Sequence, residues 1–179
     1  MASIKEFLSK RLRLKVNETK SGVARVSERQ FLGFRLLKLG QIGISEKSQQ
    51  RVKDTVRRIT KRNRGVSLEQ VITDLNKHLK GWINYFKLAD THSKFHSLDG
   101  WIRRKLRCYR LKQRKKKYPI ATFLMGLGLS REEAWKTAGS GKGWWKLSSY
   151  LSTHRGMSTA WFKAQGLISL AQEATLVRV

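Results

Sequence analysis

Arg103, Arg107, Arg110 and Arg114 follow one another at spacings of 4, 3 and 4. On a helix that spacing lines four guanidinium groups along one side. The chemistry open to such a row is phosphate binding, and no nearby acid competes for it, because every charge from Arg103 to Lys117 is positive. The alternative is a solvated cationic face, but like charges at this density repel one another unless a polyanion offsets them. Other reactive side chains offer less. Cys108 is the single cysteine, which excludes an intramolecular disulfide and a cysteine-based zinc site. His78, His92, His96 and His154 are scattered; His92 and His96 stand at i, i+4 without a third ligand at metal spacing and read as surface or helix packing. Glu132 and Glu133 fall in the first turn of an expected helix, where the macrodipole favours negative charge, so they do not read as a catalytic dyad. No cofactor is expected from these residues.

The whole composition points the same way. Lys and Arg number 39 against 12 Asp and Glu, a formal charge of +27 that is far beyond what solubility asks of a small domain. Nucleic acid, an anionic membrane surface and an acidic protein are the polyanions to weigh. Six Trp, four Tyr and seven Phe interleave with the cations, which favours nucleic acid and a packed core over a disordered polycation. The candidate contacts are Arg57, Arg58, Lys61, Arg62 and Arg64 on one expected helix, Lys80 on the next, and Arg103, Arg104, Arg107, Arg110 and Arg114 on a third. Tyr85 is the candidate for base stacking, while Trp82 lies on an apolar stripe and reads as core. Trp144 and Trp145, between Lys142 and Lys146, read equally as an RNA-facing platform or a core plug.

The expected architecture that positions these residues is mainly α. Ile4, Phe7 and Leu8 recur at helical spacing, and Leu12, Leu14 and Val16 then alternate with polar residues as in a strand. Residues 31–37 and 42–44 predict a β-hairpin around Lys38-Leu39-Gly40-Gln41. From Ser45 the period is helical: Val52, Val56 and Ile59 form the first stripe, up to Asn63-Arg64-Gly65. Ser67 starts the next helix with Gln70 at capping-box spacing and Val66 and Val71 placed as a staple. Its stripe is Val71, Leu75, Leu79, Trp82 and Phe86, with Gly81 marking either a break or a close packing contact. A third helix over 94–117 buries Phe95, Leu98, Ile102, Leu106 and Tyr109 and carries the arginine row on an adjacent side. Pro119 predicts a boundary, after which Ser130 and Glu133 cap a short helix to about Thr137. Residues 140–150 read as a Gly/Ser loop, followed by a helix over 157–165 and a short one near Leu170.

Several of these segments in order resemble one family. LKVNETKS (14–21), FLGF (31–34), LEQVITDLNKHLKGWINYF (68–86), LDGWIRRKLRCYRLKQ (98–113), GLSREEAWK (128–136) and QGLISL (165–170) are similar to the C-terminal part of bacterial-type group II intron-encoded reverse transcriptases, the intron maturases. GWINYF followed by LDGWIRRKLRCY at this spacing is the specific part. The resemblance implies a helix-strand-hairpin palm remnant over 1–44, a three-helix thumb-like, maturase-specific domain over 45–117 and a small C-terminal helical region over 118–179. It also implies that Lys20 sits near a polymerase site and that the GWINYF helix and the basic helix after it grip intron RNA or a template-primer duplex. Such enzymes hold two metal ions with aspartates, including an adjacent pair. Here the aspartates are Asp54, Asp74, Asp90 and Asp99, with no two adjacent and none in the palm-like segment; Asp99 reads as a surface charge or a cap.

Two functions are therefore expected. One is an RNA-binding maturase fragment that assists intron folding and splicing without polymerase activity of its own. The other is the C-terminal half of a split reverse transcriptase, in which a separate fingers and palm polypeptide brings the aspartates and Mg²⁺. That second reading predicts an exposed apolar patch on the helix and strands before Ser45. A membrane-surface polycation is disfavoured because the apolar stripes match one another. The start carries charges throughout and lacks a secretory apolar segment, and the longest nearly apolar stretch, Ile120–Leu129, is about half a membrane span. The expected compartment is the bacterial cytoplasm, with an organellar presequence as the alternative.

Overall fold

Serines start half of the described helices, because their side-chain oxygens satisfy backbone N–H groups that a first turn leaves unpaired. In the computed structural model, which describes residues 2–17, 22, 25, 29–37 and 40–176, Ser45 accepts from the Ser48 N–H at 3.2 Å and opens α2 (Glu46–Ile59). Ser67 accepts from Gln70 at 3.1 Å and opens α3 (Leu68–Phe86), and Ser130 accepts from Glu133 at 3.2 Å and opens α6 (Arg131–Gly139). Ser158 and Ser169 do the same for α9 (Thr159–Ala164) and α10 (Leu170–Thr175). The remaining helices are α1 (Ala2–Lys10), α4 (His92–Arg114), α5 (Lys117–Gly126), α7 (Trp144–Leu147) and α8 (Leu151–Gly156). The fold is mainly α, with ten helices and one small antiparallel sheet among the described residues.

The sheet has the order β1 (Gln30–Phe31), β2 (Phe34–Leu36), β3 (Ile42–Ile44). The expected hairpin is present, with Phe34 opposite Ile44 and Leu36 opposite Ile42. FLGF, however, is not one strand. Leu32 and Gly33 both have positive φ, 49° and 82°, as a two-residue type I′ turn requires, so the segment folds back and adds β1. Gly33 also lies close to α2, where a Cβ would stand 2.7 Å from the Ser48 hydroxyl.

The three predicted stripes form the core. Val52 and Val56 of α2, Val71, Leu75, Leu79 and Phe86 of α3, and Phe95, Leu98, Ile102, Leu106 and Tyr109 of α4 are buried. Ile120, Leu124, Leu147, Met157, Phe162 and Leu170 from the C-terminal helices belong to the same cluster. Burial of this kind stabilises by about 1.5–3 kcal/mol per large apolar side chain. Two side chains tie the layers together: the Tyr109 hydroxyl donates to the Val66 carbonyl at 2.7 Å, and Asn76 of α3 donates to Gly166 at 2.7 Å while accepting from Ile168 at 3.1 Å.

Four local expectations are corrected. Leu12, Leu14 and Val16 do not form a strand: Arg13 takes a positive φ of 50° and the Leu14 N–H folds back onto the Leu8 carbonyl at 3.0 Å, closing α1 instead of extending the chain. α3 runs unbroken through Gly81, and a Cβ there would meet nothing within 4 Å, so neither a break nor a close contact explains that glycine. The basic helix stops at Arg114, where Lys115 adopts a φ of 60°, and Pro119 lies in the first turn of α5, a position that tolerates the missing N–H. Within the expected Gly/Ser loop, Trp144 to Leu147 form a helical turn, and α8 follows it. No helix among the described residues is long and apolar enough to cross a membrane.

Candidate nucleic-acid interface

Side chains from α2, α4 and α7 meet in a ladder of alternating cations and indoles. Arg57 approaches the Trp101 ring at 5.6 Å, Lys105 lies 5.5 Å from Trp101 and 5.0 Å from Trp145, and Arg104 stacks over Trp145 at 4.0 Å. Each contact uses the negative face of an aromatic ring to hold a cation at the surface. Burial, with the positive charge of Arg57, lowers the pKa of the Lys105 ammonium, so this group gains from an anion arriving beside it. Two cavities flank the ladder. One, of about 210 Å³, is lined by Trp101, Trp82 and Arg57; the other, of about 230 Å³, is lined by Arg62, Lys105, Cys108 and Trp145. Burial raises the Cys108 thiol above its ordinary value, against the pull of Arg62 and Lys105, which disfavours its thiolate.

The arginine row of α4 is placed differently from its expected role as an open ridge. Arg107 is buried, 4% exposed, with its Nε donating to the Met157 carbonyl at 3.0 Å and its guanidinium 5.6 Å from the Phe162 ring. Burial, and then repulsion from Arg103, push its pKa down to about 10, which still leaves it charged at neutral pH. Arg110 and Arg114 lie over Phe123 of α5 at 5.2 and 4.7 Å. Arg103 lines a small cleft with Thr159, Phe162 and Ser169. The guanidinium is planar and weakly hydrated, so it can pack on rings where an ammonium would keep its water. The row is largely a seat for the C-terminal helices.

The other candidates separate into two groups. Arg57 and Arg104 come together in the ladder and Arg62 lines the cavity beside it, with Arg57 also paired to Asp54 at 2.5 Å. Arg58 and Arg64 line a shallow cleft with Lys77, where Arg64 pairs with Asp74 at 2.7 Å; Lys61 and Lys80 are exposed. Tyr85 is half exposed, but its ring stacks on Phe34 at 5.4 Å and its hydroxyl donates to the Leu32 carbonyl at 2.9 Å, so it braces the β1–β2 turn. Lys20 lies outside the described residues. Trp82 packs between Phe86 and Phe95, as its stripe position predicts. The candidates read from sequence do not include Lys53, Trp101 or Lys105. Trp101, Lys105 and Cys108 are spaced 4 and 3, the rule that reveals the arginine row, and the same rule applied to the other side of α4 finds them.

Asp99 acts as a cap at long range. It is 5% exposed and accepts from the Ser169 hydroxyl at 2.7 Å and from the Leu170 and Ala171 N–H groups at 3.0 and 3.2 Å, so it closes the start of α10 from α4. Away from the ladder, the sheet leaves an apolar cleft of about 460 Å³ open to solvent. Phe31, Leu32, Leu36, Ile42 and Leu88 line it, with Arg29 and Arg35 among its margins.

Residues 49–124 match the family model described as group II intron, maturase-specific domain. Comparison with curated proteins returns no match. The matched span runs from within α2 to within α5 and so contains Arg57, Trp101 and Lys105, while Trp145 lies beyond it.

Proposed function

We propose that this chain, whose residues 49–124 match a group II intron maturase-specific domain, binds intron RNA along the α2–α4 face and assists its folding and splicing without polymerising nucleic acid alone. The observation that carries the reading is the cation–indole ladder inside the matched span, since phosphates satisfy the cations and an indole can stack on a base. Arg57, Arg58, Lys61, Arg62, Lys105 and Arg104 supply the phosphate contacts, and Lys80 extends the cationic surface. The positions of the aspartates support the absence of independent polymerisation. Asp54 pairs with Arg57, Asp74 with Arg64, Asp90 accepts from the Ile42 N–H of β3, and Asp99 caps α10, each held by a different partner. The test is the purified chain against a group II intron transcript. Splicing or compaction should be promoted in trans, and binding should weaken steeply with salt; failure to bind the transcript even in dilute buffer overturns the reading.

One observation favours a second reading, that the chain is the C-terminal half of a split reverse transcriptase. The apolar cleft on the sheet is a surface that soluble chains ordinarily cover. In that reading residues 1–44 complete a palm supplied by a separate polypeptide, which also brings the carboxylates for Mg²⁺. Primer extension separates the two: DNA synthesis only with a complementing fingers and palm polypeptide supports the split enzyme, and synthesis by this chain alone overturns both readings.

A further inference from the structure

Resting on the RNA-binding reading above, we propose that the cavity beside Trp101 receives a single unpaired nucleobase of a bound RNA strand, with Lys53, Arg57 and Lys94 at its rim holding the adjoining phosphates. The cavity, about 210 Å³, sits where β3, α2, α3 and α4 converge. Its floor is apolar, formed by Ile44, Phe95 and Leu98, all buried. Trp82 and Trp101 are both partly buried and both line it, so indole surface borders the open space. A base stacked there gains contact with the rings, and every base has a π-face to offer.

The polar lining suits a nucleotide. Gln49 donates its amide Nε2 to the Ile44 carbonyl at 2.9 Å, which leaves its carbonyl oxygen to accept from a base edge, and the Ser97 hydroxyl can donate or accept. Every charged side chain in the lining is a cation, so the ligand carries negative charge near the mouth. An apolar side chain from a protein would fill the floor and leave Lys53 and Lys94 without an anion, Arg57 being paired with Asp54. Arg57 and Lys105 reach the Trp101 ring at 5.6 and 5.5 Å, near the outer limit of a cation–π contact, so a stacked base can displace them. A duplex keeps its bases stacked inside and meets only the rim, whereas a bulged or loop nucleotide can leave the stack and enter.

The experiment compares two RNA stem-loops that differ by one bulged nucleotide, with the full chain, by fluorescence anisotropy. The expected result is about tenfold tighter binding of the bulged RNA, the equivalent of about 1.4 kcal/mol and within the range for stacking one base on an aromatic side chain. Trp101→Ala removes the preference, so that bulged and paired RNA bind alike, with far-UV circular dichroism showing that the variant keeps its helices; Trp101→Phe retains the preference. Lys94→Ala, at an exposed rim position, lowers affinity for the bulged RNA a few-fold more than for the paired one. Equal binding of the two RNAs by the wild-type chain, or a preference that survives Trp101→Ala, overturns the inference and leaves RNA binding standing. Free AMP competing as well as the bulged strand assigns the cavity to mononucleotides and also overturns it. Absence of binding to either RNA removes the RNA-binding reading itself.

Discussion

Arg107 donates from Nε to the carbonyl of Met157 at 3.0 Å, across 50 residues of sequence, and its Nη1 stands 3.4 Å from His154 Nε2. A cation in the most basic stretch of the chain is thereby a bond between α4 and the turn after α8.

Replacing Arg107 with Ala should cost about 1.5–3 kcal/mol, the range for a hydrogen bond to a charged group. Urea denaturation measures it. Arg107→Lys should recover little, because an ammonium cannot reproduce the planar Nε and Nη1 geometry. A change of less than about 0.5 kcal/mol, the size expected of a surface substitution, would mean that Arg107 is solvated in solution.

The cations to remove for binding are those of α2 and the turn after it. Arg58→Gln, Lys61→Gln and Arg62→Gln all fall at exposed positions, so the triple variant should keep its thermal midpoint. The slope of log K against log salt for intron RNA should become shallower by about 0.7–0.9 for each phosphate no longer neutralised. An unchanged slope moves the phosphate-binding face off this region.

Asp99→Ala should cost about 3 kcal/mol, since it strands two buried N–H donors at the start of α10 and the Ser169 hydroxyl. Hydrogen exchange should show protection disappearing first at residues 168–175. A decrease spread evenly over the chain would contradict a local capping role.

Gly81→Ala should stabilise the chain by about 0.5–1 kcal/mol, because α3 is regular there, the site is exposed, and an added methyl meets nothing within 4 Å. Thermal unfolding reads the gain. Destabilisation would show that α3 is not a continuous helix in solution.

Stability should decline as the pH falls below about 6.5. His154 and His78 both have pKa values lowered by burial and then by nearby arginine, Arg107 for His154 and Arg58 for His78. The fold thus favours their neutral forms: the stability they contribute is complete above the unfolded value of 6.5 and is lost as pH drops through the lower folded values. A His78→Gln, His154→Gln variant should show a flatter profile between about pH 7 and 5. Glu69, Glu133 and Asp74, all lowered by hydrogen bonds, contribute a separate decline at more acid pH.

The helices from Ser45 onward were legible because two short-range rules act within one element. A serine three residues before a free N–H caps it, and apolar residues at 3 and 4 spacing mark the face to be buried; both hold at Ser67 and along Phe95 to Tyr109. The same rules misread Leu12 to Val16, where alternation without a partner strand did not produce a strand, and FLGF, where two positive φ values turned the chain.

The +27 charge, the apolar stripes and the caps follow from residue identity and neighbours a few positions away. Which of the cations remain available does not. Arg103, Arg107, Arg110 and Arg114 form one row by spacing, but Phe123, Met157 and Phe162 arrive from distant elements and pack against Arg107, Arg110 and Arg114, burying Arg107, while Trp101 and Lys105, on the other side of the same helix, line two surface cavities. Helical periodicity specifies the direction each side chain takes from its own axis; the partner that meets it there is set by chain closure over tens of residues, for which local spacing carries no record.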